Sequence, residues 1–174
     1  MPKIYIIGAS GAGKSFFAKR LSQKLGIAHL NLDDVAWMPS PHQKNTMIKR
    51  DRAEKSAYIR AFLSKHSDWI IEGVQSKDWL APVVDKADQV IVLQVPVLIR
   101  DWRILKRSVR RKLGIEKSNH KENFLGVCRL IKFNHQYDKD ILPQILQNLE
   151  QHGKRIHRVC GKRRFLPFGK LGGK

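Results

Sequence analysis

A glycine-rich motif close to the start of the chain constrains the fold more than any other feature. Residues 8–15 read Gly-Ala-Ser-Gly-Ala-Gly-Lys-Ser and match G-x-x-x-x-G-K-[ST] at every position. Residues 3–7 are apolar enough for a strand buried on both faces, and residues 16–25 carry apolar side chains at helical spacing. Strand, glycine loop and helix in this order predict a phosphate-binding loop rather than an ordinary glycine-rich turn.

The residue types of this motif fit phosphate chemistry. Glycine adopts backbone conformations closed to other residues, so that successive N–H groups can converge on one anion at a helix N-terminus. The Lys14 ammonium can reach the β- and γ-phosphates, and the Ser15 hydroxyl can ligate Mg²⁺. The predicted nucleotide-binding residues are Gly8, Ala9, Ser10, Gly11, Ala12, Gly13, Lys14, Ser15 and Phe16.

The rest of the chain alternates strand-like and helix-like segments. Further strands are predicted at 27–32, 68–71, 89–95 and 155–160, a loop at 38–46, and helices at 48–66, 97–113 and 122–150, the last broken at Pro143. This alternation predicts an α/β fold with a parallel sheet covered by helices on both faces. Ligands of such sheets bind at the carboxyl ends of the strands.

Carboxylates stand at two of those strand ends. Glu72 ends the hydrophobic run Trp-Ile-Ile-Glu-Gly and is predicted to share a Mg²⁺ ion with Ser15. Asp33 and Asp34 end the second strand, where either could accept the proton of a substrate hydroxyl. The alternative interpretations are a capping role for Asp33 and a solvated strand end for Glu72.

The segment 97–113 predicts a basic amphipathic helix. Five arginines fall within an arc of about 100°, and five apolar residues fall on the opposite side. The arginines are Arg100, Arg103, Arg107, Arg110 and Arg111; the apolar residues are Leu98, Trp102, Leu105, Val109 and Leu113. We expect the apolar face to pack on the domain and the arginines, which have few acidic neighbours in the sequence, to contact phosphates rather than form a merely solvated face. With the following residues to about 122, the helix would form one wall of a mobile lid.

Length and composition indicate the domain number and the cellular compartment. The length of 174 residues predicts one domain, and no apolar run approaches the about 20 residues of a membrane span. A strand that begins at Lys3 leaves no room for a signal peptide, so we expect a cytoplasmic protein with no membrane partner. Cys128 and Cys160 are expected to be core-filling thiols rather than zinc ligands or a disulfide.

The net charge of +19 attracts polyanions such as nucleotides or nucleic acid. The basic residues 161–174 are predicted to form a partly disordered tail after a domain at 1–160. Non-specific nucleic-acid binding through this basic surface is therefore one expectation.

These motifs, in this order, resemble the adenylate-kinase-like small P-loop kinases, and among them the topology modulation (FlaR-like) proteins. Besides the glycine loop, the resemblance rests on Leu-Asp-Asp-Val-Ala-Trp at 32–37, Trp-Ile-Ile-Glu-Gly at 69–73 and Val-Pro at 95–96 leading into the arginines. It implies a five-stranded parallel sheet of order 2-3-1-4-5 and ATP·Mg²⁺ as phosphoryl donor. It also implies that Lys14 and Ser15 hold phosphates and Mg²⁺, and that Arg103 and Arg107 belong to a lid.

The sequence therefore predicts an ATP-dependent small-molecule kinase. Its predicted catalytic residues are Lys14, Asp33, Asp34, Glu72, Arg103 and Arg107. Many relatives carry Asp-Gly-Asn-Tyr at 72–75, an acid at 94 and Ser or Thr at 16, so the nucleotide, hydroxyl or phosphate acceptor stays open. A nucleic-acid-associated P-loop ATPase or regulator is the alternative, and a nucleotide-binding protein without catalysis is a third hypothesis.

Overall fold

A computed structural model describes residues 2–40, 42, 47–74, 78–115 and 124–160. Its strands are β1 (Lys3–Gly8), β2 (Ala28–Asn31), β3 (Trp37–Pro39), β4 (Met47–Lys49), β5 (Trp69–Gly73), β6 (Gln89–Gln94) and β7 (Arg155–Cys160). Its α-helices are α1 (Lys14–Leu25), α2 (Leu32–Ala36), α3 (Arg52–Lys65), α4 (Ala81–Lys86), α5 (Val97–Lys112), α6 (Phe124–Gln136) and α7 (Leu142–Gln151). A 3₁₀ turn covers Asp78–Leu80, and a π-helical segment covers Tyr137–Ile141.

Five strands form one parallel sheet in the order β2-β5-β1-β6-β7. Counted along the chain, these strands are the first to fifth of the sheet, so the predicted order 2-3-1-4-5 and the α/β fold class are confirmed. The glycine loop leaves the central strand β1, between β5 and β6. Strand ends from both sides therefore surround the loop.

Successive residues of a strand point to opposite sides, so the apolar central strands present two hydrophobic faces. Helices cover both of these faces. Ile4 and Ile6 of β1 pack with Ala18 and Leu21 of α1 on one face. On the other face, the second and larger core joins sheet residues to α3, α4 and α7; its members include Tyr5, Ile7, Trp69, Ile59, Val83 and Ile145. Glu72 lies two residues after Ile70, which belongs to the α1 face, so its side chain is directed to the side of the sheet where Lys14 begins α1.

The segment between β2 and α3 differs from the prediction. Part of the expected loop at 38–46 and the expected start of the helix at Ile48 are instead an antiparallel hairpin of β3 and β4. Helix α3 begins at Arg52 because Asp51 forms a capping box with Glu54, in which each side chain accepts a backbone N–H of the other residue.

The expected interruption near Pro143 also lies elsewhere. The π-helical segment Tyr137–Ile141 joins α6 directly to α7, and Pro143 stands in the first turn of α7. The π-helical turn places Asp138 against Arg100 of α5.

The prediction for the faces of α5 is wrong. The buried residues of this helix are Arg100, Ile104 and Ser108, and the apolar residues expected to pack on the domain are 42–75% exposed. Sequence-distant partners explain the orientation: Arg100 forms an ion pair with Asp138, and Asp101 accepts hydrogen bonds from Asn134 and His135 of α6. The arginine side of α5 therefore faces the protein, and its apolar side faces outward.

The thiols also depart from expectation, since Cys128 and Cys160 are both exposed. None of the described helices is long and apolar enough to cross a bilayer. The mobile segment is expected at 114–121, and of it only Gly114 and Ile115 are among the described residues. The tail expected at 161–174 lies outside them, and the domain boundary at 160 stays a prediction.

Candidate functional site

The glycine loop has the backbone geometry that its glycines allow. Gly11 and Gly13 have φ angles of +77° and +89°, a region that L side chains rarely adopt. The Gly13 carbonyl accepts the first helical hydrogen bond, from the Phe17 N–H at 3.1 Å, so α1 begins directly after the loop. A Cβ on Gly8 would lie 3.0 Å from the carbonyl oxygen of Leu93, which shows how closely the loop passes β6.

Lys14 lies at the centre of the site. Its ammonium Nζ donates a hydrogen bond to the carbonyl oxygen of Ala9 across the loop at 3.0 Å. Burial lowers the pKa of Lys14, while the negative charges of Glu72 and Asp33 oppose that change. The lysine is therefore held inside the loop with two carboxylates in electrostatic range.

Glu72 is a buried carboxylate, only 1% exposed. Strand register places it beside Ile6 of β1 and Asn31 of β2. Its Oε1 is 3.7 Å from Nε2 of His29 and has no hydrogen-bond partner within the described residues. A buried anionic oxygen without a donor is suited to a cation, because an unpaired charge is expensive to bury.

Asp33 and Asp34 lie in the first turn of α2, where both reach solvent but have different surroundings. The Asn31 side chain caps α2 by accepting the Asp33 N–H at 2.8 Å, so the expected capping role belongs to Asn31. Partial burial raises the pKa of Asp33, Lys14 lowers it, and Glu72 raises it again. The Asp34 carbonyl accepts a hydrogen bond from Arg50 Nη1 at 2.8 Å, but its side chain is outside the pocket described below.

Helix α5 contacts the glycine loop through its arginine side. Arg103 Nη1 donates to the carbonyl oxygen of Gly11 at 3.0 Å. A Cβ on Gly11 would lie 2.7 Å from the carbonyl oxygen of Arg100, so the helix backbone packs directly on the loop. Arg107 is close enough to lower the pKa values of both Lys14 and Asp33. Two of the predicted arginines therefore carry positive charge toward the loop.

A pocket of about 260 Å³ opens beside the loop. Its described lining residues are Ser10, Leu32, Asp33, Ala36, Val74, Trp79, Leu130 and Phe133. The residues come from the glycine loop, α2, the end of β5, the 3₁₀ turn and α6. One carboxylate and one loop hydroxyl stand among apolar and aromatic walls.

The structure brings together most, though not all, of the predicted site residues. Lys14, Asp33, Glu72, Arg103 and Arg107 surround the loop. Asp34, the third predicted catalytic acid, lies on α2 but outside the pocket. Ser15 and Phe16 are exposed in the first turn of α1, and the Arg20 guanidinium lies 5.5 Å from the centre of the Phe16 ring.

Sequence reasoning missed several residues of the site. His29 could have been found, because strand alternation and register place it on the same face as Glu72, one strand away. Leu130 and Phe133 have helical spacing in α6 but no local signal that ties them to the loop. The partnership of Arg100 with Asp138 spans 38 residues and likewise leaves no local pattern.

The sequence matches a known family and a curated relative. Residues 4–120, more than half of the chain, match the family described as AAA domain. The uncharacterized protein YqaC of Bacillus subtilis (strain 168) is 32% identical over 108 residues, which are 62% of this chain. The matched region spans 57% of the length of YqaC.

A solved structure shares the fold. Shikimate kinase from Acinetobacter baumannii, in complex with shikimate, superimposes with a TM-score of 0.52 over 91% of this chain and 83% of its own. At 17% identity this likeness establishes the fold alone. The small P-loop kinase-like fold is therefore confirmed, and membership of the FlaR-like group stays a prediction.

Proposed function

The chain belongs to the AAA domain family, and from that premise we propose that it is an ATP-dependent phosphotransferase acting on a small acceptor. One observation carries the proposal: Lys14, Asp33 and Glu72 share one electrostatic environment at the glycine loop. A lysine in the glycine loop with two carboxylates in electrostatic range, beside a pocket, can supply the charge neutralisation and proton removal of phosphoryl transfer.

ATP is the proposed donor substrate. The loop 8–13 and the first turn of α1 supply backbone N–H groups and the positive end of a helix dipole for its phosphates. Lys14 would exchange its hydrogen bond to the Ala9 carbonyl for a phosphate oxygen. Ser15 and Phe16 complete the proposed nucleotide-binding set, Phe16 through its backbone, since the residue is 57% exposed.

Mg²⁺ fits the donor set of the site. Ser15 offers a hydroxyl, and the Glu72 carboxylate oxygen lacks a hydrogen-bond donor among the described residues. Oxygen ligands of this kind, directly or through water, are those that Mg²⁺ prefers. When bound, the ion would supply charge neutralisation at the phosphates.

Asp33 is the proposed general base. It lines the pocket next to Ser10 of the loop, where an acceptor hydroxyl would lie between the carboxylate and the γ-phosphate. Asp33 accepts the hydroxyl proton, the acceptor oxygen forms a bond to the γ-phosphorus, and the bond from that phosphorus to the β–γ bridging oxygen breaks to release ADP. Asp34 lies outside the pocket, so we assign the base to Asp33.

Arg103 and Arg107 are the proposed charge-stabilising residues. Arg103 already contacts the loop, and Arg107 lies in electrostatic range of Lys14. Guanidinium groups at these positions would stabilise negative charge that develops on the transferring phosphoryl group. Closure of the segment 97–122 as a lid stays a prediction.

The test is acceptor-dependent ADP formation. The purified full chain, with ATP and Mg²⁺, is assayed against nucleosides, nucleoside monophosphates and small hydroxyl compounds, with Asp33→Asn and Asp34→Asn as a matched pair. The proposal expects turnover with some acceptors that is lost in Asp33→Asn and kept in Asp34→Asn. Equal loss in both variants would contradict the assignment of the base.

A nucleic-acid-associated P-loop ATPase or regulator is the second candidate, because the net charge is +19. This candidate expects tight, salt-sensitive binding to DNA or RNA that requires Lys162, Arg163 and Arg164. Nucleic-acid-stimulated ATP hydrolysis without any small acceptor would favour it over the kinase. Tight ATP binding with neither activity would favour a binding protein without catalysis.

A further inference from the structure

The chemistry of the pocket points to the acceptor class. We propose that the acceptor is an uncharged alcohol that carries a ring, of nucleoside size at most. This inference rests on the proposed kinase function, because it assigns the pocket beside Ser10 and Asp33 to the acceptor. The lining residues, the packing behind them and the pocket volume support it.

The walls of the pocket are apolar. Leu32, Ala36, Val74 and Leu130 contribute aliphatic surface, and Trp79 and Phe133 contribute aromatic surface. Flat rings gain both area burial and specific aromatic contacts against such side chains. Aliphatic and aromatic walls therefore favour a ring over a flexible polar chain.

The charge of the described lining disfavours an anionic acceptor. Among the described residues that line the pocket, Asp33 carries the charge, and that charge is negative. A carboxylate or phosphate placed here would lose water against apolar walls and meet the negative charge of Asp33, because Lys14 and Arg107, which act on Asp33 electrostatically, do not line the pocket. A neutral hydroxyl instead donates a hydrogen bond to the Asp33 carboxylate and brings no second charge into the pocket.

The aromatic and aliphatic walls are supported from behind. The Phe133 ring lies 5.9 Å from the ring of Tyr137, which is 1% exposed. Val74, Trp79 and Phe133 all pack on the larger core, and Leu32 fills the space above Gly73, where a Cβ would come within 2.5 Å of it. The pocket is therefore largely formed before a ligand arrives, as small-molecule sites usually are.

The volume limits the size of the acceptor. About 260 Å³ lies just below the range of about 300–1,000 Å³ that is common for ligand pockets. One ring system with a short hydroxyl-bearing group fits, whereas a long chain would extend into solvent. Nucleosides and non-nucleoside aromatic alcohols share this chemistry, and the test separates them.

The test measures binding of matched ligand pairs to the full chain without ATP, by isothermal titration calorimetry. Thymidine is paired with thymidine 5′-monophosphate, and 2-phenylethanol with phenylacetate, so each pair changes charge with little change in the ring. Shikimate is an additional anionic probe. We expect the neutral member of at least one pair to bind about tenfold more tightly or better. The pair that shows this preference tells whether the acceptor is a nucleoside or a non-nucleoside aromatic alcohol.

Variants link that preference to the pocket. Phe133→Ala removes an aromatic wall and is expected to weaken neutral-ligand binding about tenfold. Phe124→Ala is the matched control, because Phe124 is on the same helix, 69% exposed and outside the lining. Val74→Lys adds a cation beside Asp33 and is expected to narrow or reverse the preference within each pair.

Two results would overturn the inference: tighter binding of the anionic members to the unaltered protein, or no binding by any probe. Failure of the proposed kinase function would be seen in a different measurement, as the absence of phosphoryl transfer to any acceptor. Transfer to anionic acceptors would leave the kinase intact and remove the inference. Selective binding of neutral alcohols without transfer would keep the pocket chemistry and remove the kinase.

Discussion

At the scale of single residues, the site contains titratable side chains whose pKa values depend on one another. Burial lowers the pKa of Lys14 and raises that of Asp33. The opposite charge of each residue shifts the pKa of the other partly back toward its ordinary value. The two adjacent aspartates differ in surroundings, because Asp33 lines the pocket and Asp34 does not. Adjacent residues of one type therefore provide a controlled comparison.

Asp33→Asn is predicted to lower kcat/KM by about 10²- to 10⁴-fold, the usual contribution of a general base. Asp34→Asn is predicted to leave it close to that of the unaltered protein. Because the pKa of Asp33 is raised, activity should fall with decreasing pH through a value above the ordinary 3.8. Steady-state kinetics across pH measure both effects, and a larger loss in Asp34→Asn would contradict the assignment.

Gly11→Ala is predicted to destabilise the protein more than Gly26→Ala. Both glycines have positive φ, which costs an L residue about 1–2 kcal/mol. A Cβ at Gly26 meets no atom within 4 Å, whereas one at Gly11 would lie 2.7 Å from the Arg100 carbonyl, adding about 1–3 kcal/mol of overpacking. Urea denaturation gives both free energies of unfolding, and equal values would show that α5 does not pack on the loop.

At the scale of elements, α5 holds the arginines against the loop through contacts with the end of α6 and the π-helical segment. Arg100 is 1% exposed and pairs with Asp138, and Asp101 accepts hydrogen bonds from Asn134 and His135. The exposed apolar side of α5 is the consequence, because the helix is oriented by these polar contacts. Its position therefore depends on residues more than 30 positions away.

Asp138→Ala is predicted to lower the free energy of unfolding by about 1–3 kcal/mol, because it leaves the buried Arg100 guanidinium without its carboxylate. The larger loss of a fully buried pair is not expected, since Asp138 is 47% exposed. Glu150→Ala is the control: its pair with Arg158 is 3.8 Å long and more than half exposed on both sides. That change should stay within about 0.5 kcal/mol, and a similar loss in both variants would contradict the buried-pair interpretation.

Much of the sheet was predictable from the sequence, and the orientation of α5 was not. The strands are short apolar runs, and the glycine loop is a local pattern, so both are visible in a single segment. The outward face of α5 contradicts its hydrophobic pattern because Asp138 and Gly11, both remote in sequence, determine it. The acids near the strand ends were predictable because they follow apolar runs within single segments. The aromatic walls from Trp79 and Phe133 were not, because they depend on contacts between segments remote in sequence.

At the scale of the whole molecule, the net charge of +19 is the property that a small kinase does not explain by itself. The arginines of α5 that contact the loop account for only part of it. Five basic residues lie in the segment 161–174, after the last strand of the sheet. Polyanion binding and phosphoryl transfer are therefore predicted to be separable.

Truncation after Cys160 is predicted to weaken binding to double-stranded DNA while leaving nucleotide turnover unchanged. The slope of log K against log salt should become shallower by about 0.9 for every DNA phosphate that the tail neutralises in the full chain. Fluorescence anisotropy at several salt concentrations measures that slope, and ADP formation measures turnover. A truncated chain with the same slope would show that the tail binds no phosphates.

Phosphoryl transfer at the glycine loop is measured by ATP consumption by the full chain across the acceptor panel. Lys14→Ala is the control, because Lys14 is the cation of the loop that Asp33 and Glu72 influence electrostatically. We predict acceptor-dependent ADP formation that falls about 10²- to 10³-fold in Lys14→Ala, as when one preorganised charge-stabilising donor is removed. Tight ATP binding with no acceptor stimulation, or equal activity in Lys14→Ala, would contradict the proposed kinase.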